Sequence, residues 1–390
     1  MKNLAIVLFS TLLASCAVAP VAQPDARFFN DRLFAAPSER ISAGDVFALS
    51  PEMRRYLSDE IAARARTKGR QKGLIDALYS KNELKLEYDT EMTRNAAQAF
   101  AARSGNCLSL VIMTAAFAKE LDLPVEYQKV FVDDAWARAG DIYLSIGHVN
   151  LTLGKRKTDE GGFGYRVGVK PPESDGMMID FLPPDDLRRV RTRAIGEEVI
   201  VAMYMNNRAV EALARKQLDD AYWWAREAIV QAPAFLTPYN TLGAIYQRHG
   251  NLQESEQVLA HVLEREPTDI QAMSNLIVVL DSLGRVDESQ RLSMKLKQMD
   301  PDPPFGYFNR GLAAMRDGDI RAAKEAFAKE VARAPDYHEF RFWLAVAYLN
   351  LGDIEQARKH LTIAMQNSTT RRDHDLYAAK LDRINAARSN

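Results

Sequence analysis

The chain has 390 residues, of which 47% are apolar and 26% are charged, so its length suits two or three globular units. This composition excludes a disordered or collagen-like chain. The 51 Lys and Arg residues nearly balance the 52 Asp and Glu residues, whereas nucleic-acid binders normally carry a strong basic excess, so no nucleic-acid partner is expected. The two cysteines, Cys16 and Cys107, allow at most one disulfide bridge, and each is therefore considered separately.

Residues 1–15 have the pattern of a secretory signal peptide. A positive start at Lys2 precedes an apolar stretch, residues 4–14, that is too short to span a bilayer. Its end, Leu13-Ala14-Ser15-Cys16, resembles the bacterial lipobox, which implies that Cys16 becomes the lipidated first residue of the mature chain. The resemblance predicts a lipoprotein of the bacterial cell envelope, anchored in the outer membrane and facing the periplasm. Ordinary cleavage beside an incidental cysteine is the alternative.

Residues 16–42 are predicted to form a tether, because they are rich in Ala and Pro. The same segment contains Phe28, Phe29 and Phe34. Three aromatic residues are too many for a pure spacer, so part of the tether is expected to dock on the folded body.

The domain predicted for residues 43–195 begins with helices, expected at residues 51–64, 73–79 and 93–103. Cys107 follows Gly105-Asn106 and opens an apolar run to Leu121, which predicts that the thiol lies in the first turn of a buried helix. The positive end of the helix dipole favours a thiolate there. The backbone N–H of Cys107 is also a candidate hydrogen-bond donor to an oxyanion.

Alternating and β-branched segments predict antiparallel strands at residues 125–132, 146–153, 164–169 and 177–182. His148 and Asp180 are polar residues in apolar strands, so each needs a partner. His148 is the only histidine outside the repeat region and the capping helix described below, which makes it the one candidate base for Cys107. The alternatives are a buried structural thiol and a different orienting carboxylate, from Asp175, Asp185 or Asp186.

The order Cys107, His148, Asp180, with a helix followed by strands, resembles the transglutaminase-like superfamily over about residues 84–183. Its most specific part is the run Gly105-Asn106-Cys107-Leu108-Ser109-Leu110 entering the helix. The resemblance implies an α+β papain-like fold and a Cys-His-Asp triad that works through an acyl-enzyme. Val149 and Asn150 stand where many relatives carry an Ala-Trp pair.

Pro and Gly recur every 34 residues in the C-terminal half, at Pro233, Pro267, Pro301 and Pro335 and at Gly250, Gly284, Gly318 and Gly352. With small residues where paired helices must cross, this period resembles the tetratricopeptide repeat. We expect five units over residues 202–369, forming an all-α solenoid, and a C-terminal capping helix over residues 370–390. Lys216 replaces the turn glycine of the first unit, and Ser255 replaces the crossing alanine of the second.

Such arrays bind partners along a concave face lined by the first helix of each pair. The resemblance places seven groove residues there: Asn206, Asn240, Phe305, Phe308, Leu312, Phe342 and Val346. Filling of this groove by the capping helix or the tether is an equal alternative.

These patterns predict a membrane-anchored envelope cysteine enzyme that hydrolyses a peptide or isopeptide bond, with the repeats recruiting a protein or peptide substrate or other envelope proteins. Crosslinking transfer to an amine by the same triad is the runner-up, which would make the protein a transglutaminase-like acyltransferase instead of a cysteine peptidase. A third interpretation is a catalytically silent scaffold. No cofactor or metal is expected, because no second His or Cys stands at ligand spacing near Cys107 and no glycine-rich phosphate loop is present.

Overall fold

The computed structural model describes residues 25–79, 84, 86–90, 92–131, 136–139, 142–145, 148–154, 176–181, 191–301, 305–368 and 370–389. For residues 131, 136–139, 142–145 and 387–389 it describes the backbone only. The predicted signal peptide, the lipidation site Cys16 and the strand predicted at 164–169 lie outside the described residues.

Five α-helices precede the main sheet: α1 (Pro51–Tyr56), α2 (Ala62–Lys68), α3 (Arg70–Tyr79), α4 (Ala96–Ala102) and α5 (Cys107–Glu120). A π-helical stretch, Leu57–Ile61, joins α1 to α2. The first helix starts as predicted, since Ser50 Oγ accepts a hydrogen bond from the Met53 N–H at 3.2 Å and Pro51 occupies the first helical position. The helix predicted from residue 93 begins only at Ala96, because Asn95 forms a capping box with Gln98.

Eight strands form three sheets among the described residues. They are β1 (Glu87–Tyr88), β2 (Ser104–Gly105), β3 (Val125–Phe131), β4 (Trp136–Ala139), β5 (Ile142–Ser145), β6 (His148–Leu153), β7 (Met177–Ile179) and β8 (Arg191–Ile195). The largest sheet is antiparallel, with the order β7-β6-β3-β8, and β1 pairs with β2 in parallel. Strand β8 was not expected from the sequence, because Arg191-Thr192-Arg193 lacks the apolar alternation of a half-buried strand, and four of its five residues are exposed on the sheet edge.

Five antiparallel helix pairs follow: α6 (Glu197–Ala214) with α7 (Leu218–Gln231), α8 (Thr237–His249) with α9 (Leu252–Arg265), α10 (Ile270–Ser282) with α11 (Val286–Met299), α12 (Gly306–Arg316) with α13 (Ile320–Arg333), and α14 (His338–Asn350) with α15 (Ile354–Gln366). A last helix, α16 (Arg371–Ser389), packs on α15. The prediction of a helical repeat solenoid is confirmed.

The 34-residue period has a backbone cause. The four periodic glycines all have positive φ, between 73° and 92°, in the turn between the two helices of a pair. This left-handed conformation costs little for Gly and about 1 kcal/mol or more for a residue with a side chain. Lys216 adopts it nevertheless, with φ of 63°, so the first pair keeps the turn at an energetic cost.

The small residues mark the crossing of the paired helices. A Cβ added to Gly243 would lie 2.7 Å from the Leu259 side chain, so only glycine fits there without a shift. Ser255, in place of the usual alanine, donates its hydroxyl to the Gly243 carbonyl at 2.7 Å. The departure therefore buries no unsatisfied hydroxyl.

The buried apolar side chains separate into more than one core. The largest core runs without interruption from α5 and the sheet through α6 to α10. A second core joins α12, α13 and α14 around Phe308 and Phe327, and a third joins α14, α15 and α16 around Leu361.

Residues 25–39, called here the N-terminal strap, lie on α7, α8 and α9. Phe34 stacks on Tyr222 with ring centroids 4.0 Å apart, and Phe28 packs against His261 at 4.5 Å. The strap backbone is also held, since the Asn30 N–H donates to the Tyr246 hydroxyl at 2.9 Å. The predicted tether is thus attached to the helical array from residue 25 onward.

No helix within the described ranges is both long and apolar enough to cross a membrane.

Candidate functional site

Cys107 is the first residue of α5, whose N-cap is Asn106. Asn106 Oδ1 accepts hydrogen bonds from the Ser109 N–H and the Ser109 hydroxyl, both at 2.9 Å. Gly105 is required by space, because a Cβ there would lie 2.6 Å from Ser109 Cβ. The compact turn brings the thiol to the helix N-terminus, where unpaired N–H groups and the helix dipole favour negative charge.

His148 and Asp180 form a buried pair at the two neighbouring strands β6 and β7. His148 opens β6, and Asp180 directly follows β7, which is paired with β6. His148 Nε2 lies 2.6 Å from Asp180 Oδ1, and each side chain is 5% exposed. Asn150 Nδ2 donates to the second carboxylate oxygen at 2.7 Å, so three polar side chains of one sheet face hold one another.

The imidazole of His148 also interacts with the Cys107 thiol. Burial lowers the pKa of His148, but the hydrogen bond to Asp180 and the hydrogen bond and charge of Cys107 together outweigh burial and raise the pKa to about 9. His148 is thus paired directly with Asp180, and its pKa responds to the hydrogen bond and charge of Cys107. A histidine cation beside a thiolate is the arrangement that activates a cysteine nucleophile.

Tyr88 is a site residue that the sequence did not reveal. Strand β1 places Tyr88 opposite Gly105, two residues before Cys107. Burial raises the pKa of the Tyr88 phenol, the charge of the Cys107 thiolate raises it further, and a hydrogen bond from the Cys107 backbone N–H opposes both. A two-residue strand carries no sequence signal, so only the pairing of β1 with β2 shows that Tyr88 lies beside the start of α5.

The predicted groove residues differ in how deeply they are buried and in what they contact. Phe305 and Phe308 are 2% and 0% exposed and pack on Phe327 and Phe340, so the prediction that they line an open groove is wrong. Phe342 stacks on Tyr377 of α16 at 5.0 Å, which means that the capping helix covers it. Leu312 and Val346 are half-buried.

The two asparagines of the predicted groove are buried on successive repeats. Asn240 Nδ2 donates to Gln271 Oε1 at 3.2 Å, and its Oδ1 accepts from Asn275 at 2.9 Å. This amide is therefore already bonded to α10, the first helix of the next repeat. Asn206 Oδ1 has no hydrogen-bond partner among the described residues.

Within the ranges that the structure describes, no three His, Cys, Asp or Glu side chains are grouped so that they could hold a metal ion.

Comparison with known proteins defines the class of the C-terminal half. Residues 308–369 match the family model of the tetratricopeptide repeat. The array is thus a tetratricopeptide-type solenoid, a kind of scaffold that binds other proteins.

Two curated proteins and one solved structure are similar to parts of the chain. The chain is 25% identical over 205 residues to the TPR repeat-containing protein PA4667 of Pseudomonas aeruginosa, an alignment covering 52% of this chain and 32% of that protein. It is 33% identical over 147 residues to the cellulose synthase operon protein C of Pseudomonas fluorescens, covering 34% of this chain and 11% of that one. The solved structure of TTC0263, a thermophilic TPR protein in Thermus thermophilus, shares 18% identity with a TM-score of 0.32, covering 46% of this chain and 98% of that one. The chain thus spans about a third or less of the length of the two curated relatives.

Proposed function

We propose that this protein is a lipid-anchored envelope cysteine enzyme of transglutaminase-like type, acting on an amide bond through Cys107, His148 and Asp180. The observation that carries the proposal is the 2.6 Å contact of His148 with Asp180 beside a thiol at the start of α5. The thiol is the nucleophile, the imidazole the base, and the carboxylate fixes the imidazole orientation.

The reaction proceeds in two steps. The Cys107 thiolate attacks the carbonyl carbon of an amide. The backbone N–H of Cys107 gives up its hydrogen bond to the Tyr88 hydroxyl and donates to the resulting oxyanion. His148 gives its proton to the leaving nitrogen, the C–N bond breaks, and a thioester remains on Cys107. In the second step His148 takes a proton from water, and the hydroxide equivalent attacks the thioester, breaks the C–S bond and releases a carboxylic acid. This restores the Cys107 thiolate beside a protonated His148.

Hydrolysis is the favoured outcome. A primary amine in place of water would form a new amide, which is crosslinking with the same residues. The tetratricopeptide scaffold supports recruitment of a protein substrate or an envelope partner in either case. A silent scaffold, in which the thiol does no chemistry, is the alternative of a different class.

The activity test is alkylation of Cys107 by iodoacetamide in the full chain, followed by mass spectrometry of the peptide that contains it. We expect labelling at pH 7 to be faster than that of a free thiol, and His148→Ala to slow it. Labelling at or below the rate of a free thiol would reject the enzyme and favour the scaffold.

A second assay distinguishes hydrolysis from transfer to an amine. Wild-type protein and the Cys107→Ser control are incubated with a glutamine-containing peptide and a biotinylated primary amine. Incorporation that needs Cys107 supports amine transfer, whereas release of ammonia or peptide cleavage without incorporation supports hydrolysis.

The anchor is tested by localisation. Lipidation of Cys16 predicts that the mature wild-type protein partitions into detergent, and that Cys16→Ser accumulates as an uncleaved or mislocalised precursor. Recovery of mature wild-type protein in the aqueous phase would contradict the anchor.

A further inference from the structure

The N-cap that precedes the thiol is itself held by a buried threonine. Asn106 uses its oxygen to cap α5, and its Nδ2 donates to Thr93 Oγ1 at 3.0 Å. Thr93 is 2% exposed and lies in the segment before α4. Its hydroxyl thus fixes the amide that starts the Cys107 helix.

Thr93 is in turn held by the first helix of the repeat array. The backbone N–H of Thr93 donates to Glu211 Oε1 at 2.7 Å, and Asn207 Nδ2 donates to Thr93 Oγ1 at 3.2 Å. Both partners lie on α6, more than one hundred residues further along the chain. The N-terminus of the Cys107 helix is therefore tied to the array by side-chain hydrogen bonds.

The connection continues to the N-terminal strap. Arg208 Nη1 lies 3.3 Å from Glu211 Oε2, and Arg208 Nη2 donates to Glu39 Oε1 at 2.9 Å. The same Glu39 oxygen accepts from Trp224 Nε1 on α7 at 3.0 Å. Arg208 is 7% exposed, so its two carboxylate partners neutralise a charge that would otherwise be costly to bury.

We propose that Thr93 is a positioning residue for Cys107, and that α6 sets the reactivity of the thiol by holding Thr93 through Glu211 and Asn207. The inference rests on the proposed function and names an element that controls the same site. Without the Thr93 hydroxyl, the Asn106 amide loses an acceptor and can rotate away from the first turn of α5. The N–H groups that favour the thiolate are then no longer held in one geometry.

The test compares Thr93→Val, which removes the hydroxyl at nearly constant volume, with Thr93→Ser, which keeps it. Iodoacetamide labelling of Cys107 in the full chain is measured from pH 5 to pH 10, with thermal unfolding followed in parallel. We expect Thr93→Val to raise the pH at which the labelling rate reaches half its maximum by about one unit. At pH values below that midpoint, this shift corresponds to labelling that is about tenfold slower than in the wild type. Thr93→Ser should return to within about twofold of wild type.

A second pair of variants examines the array side. Glu211→Ala removes the acceptor of the Thr93 N–H and should slow labelling as Thr93→Val does, whereas Glu211→Gln keeps an acceptor and should restore most of the rate. This pair decides the matter if Thr93→Val does not fold.

The outcomes separate the inference from the function on which it rests. Fast wild-type labelling that neither Thr93→Val nor Glu211→Ala changes would overturn the positioning role and leave the enzyme intact. Wild-type labelling no faster than a free thiol would overturn both.

Discussion

The imidazole of His148 is buried between a carboxylate and a thiol, and its charge state is therefore linked to folding. Its pKa of about 9 lies above the 6.5 of an unperturbed histidine, so the folded state binds the proton more tightly than the unfolded chain does. Stability from this group is fully present below about pH 6.5 and is lost as the pH rises through about 9.

We therefore expect the urea concentration at the unfolding midpoint of the full chain to decrease as the pH is raised from 6.5 to 9.5. The His148→Gln variant, which cannot be protonated, should show a flatter profile over the same range. Equal slopes for the two proteins would mean that His148 is not protonated in the folded state.

Tyr88 gives a second prediction at the level of one residue. The Tyr88 phenol interacts with the Cys107 thiol from a position that is 46% exposed, so Tyr88→Phe should slow iodoacetamide labelling at pH 7 about fivefold, or about 1 kcal/mol for one partly exposed hydrogen bond to a charge. Tyr56→Phe is the matched control, because that hydroxyl donates to the Ala77 carbonyl at 2.7 Å instead. Faster labelling of Tyr88→Phe would show that the phenol blocks the thiol.

At the level of elements, the sequence predicted those helices and strands whose pattern is local. The cap at Ser50, the start of α5 and the periodic turn glycines are encoded within a few residues, and they occur where expected. Strands β1 and β8 were missed because they are defined by their pairing partners. Phe305 and Phe308 were misplaced because a repeat offset does not show which neighbouring helix will cover a side chain.

The residues of the candidate site could be proposed from local patterns, whereas the contacts that support them could not. His148 and Asp180 could be selected because a polar residue in an apolar strand needs a partner, and Cys107 because it opens a buried helix after Gly105. The bonds of Thr93 to Glu211 and Asn207 join two predicted domains, and no local pattern encodes them.

The strap leads to a prediction about Phe34, which is 7% exposed and stacked on Tyr222. Phe34→Ala should cost about 3 kcal/mol, the lower end for a buried phenylalanine, and should increase hydrogen exchange across residues 25–39. Phe29→Ala, at a half-buried neighbour, is the control and should cost less. Unchanged exchange in Phe34→Ala would show that the backbone contacts alone hold the strap.

The first turn of the array carries a strain that can be removed. Lys216→Gly should stabilise the protein by about 0.5–1 kcal/mol, because glycine accepts the positive φ of 63° while adding some entropy to the unfolded chain. The reverse change at an equivalent turn, Gly250→Ala, should destabilise by about 1 kcal/mol. Thermal unfolding of the two variants checks the prediction, and a loss of stability in Lys216→Gly would refute it.

Over the whole molecule, the separation of the cores predicts two unfolding units. The core around α5 extends as far as α10, whereas α12 to α16 pack around their own smaller clusters. In hydrogen exchange at rising urea, α12 to α16 should lose protection together and at lower urea than α5 to α10, because they bury less apolar area. One common midpoint for both groups would contradict this division.

The strap also limits how far the protein can stand from its anchor. Under the proposed lipidation, only nine peptide units separate Cys16 from Asp25, where the docked segment begins, and nine units reach at most about 30 Å. A tether that stayed undocked through residue 42 would reach about 90 Å. The face formed by α7, α8 and α9 would thus be kept close to the lipid headgroups. Because the thiol is tied to that face through α6, it would act on substrates at the surface of its own membrane and would not reach substrates deeper in the periplasm.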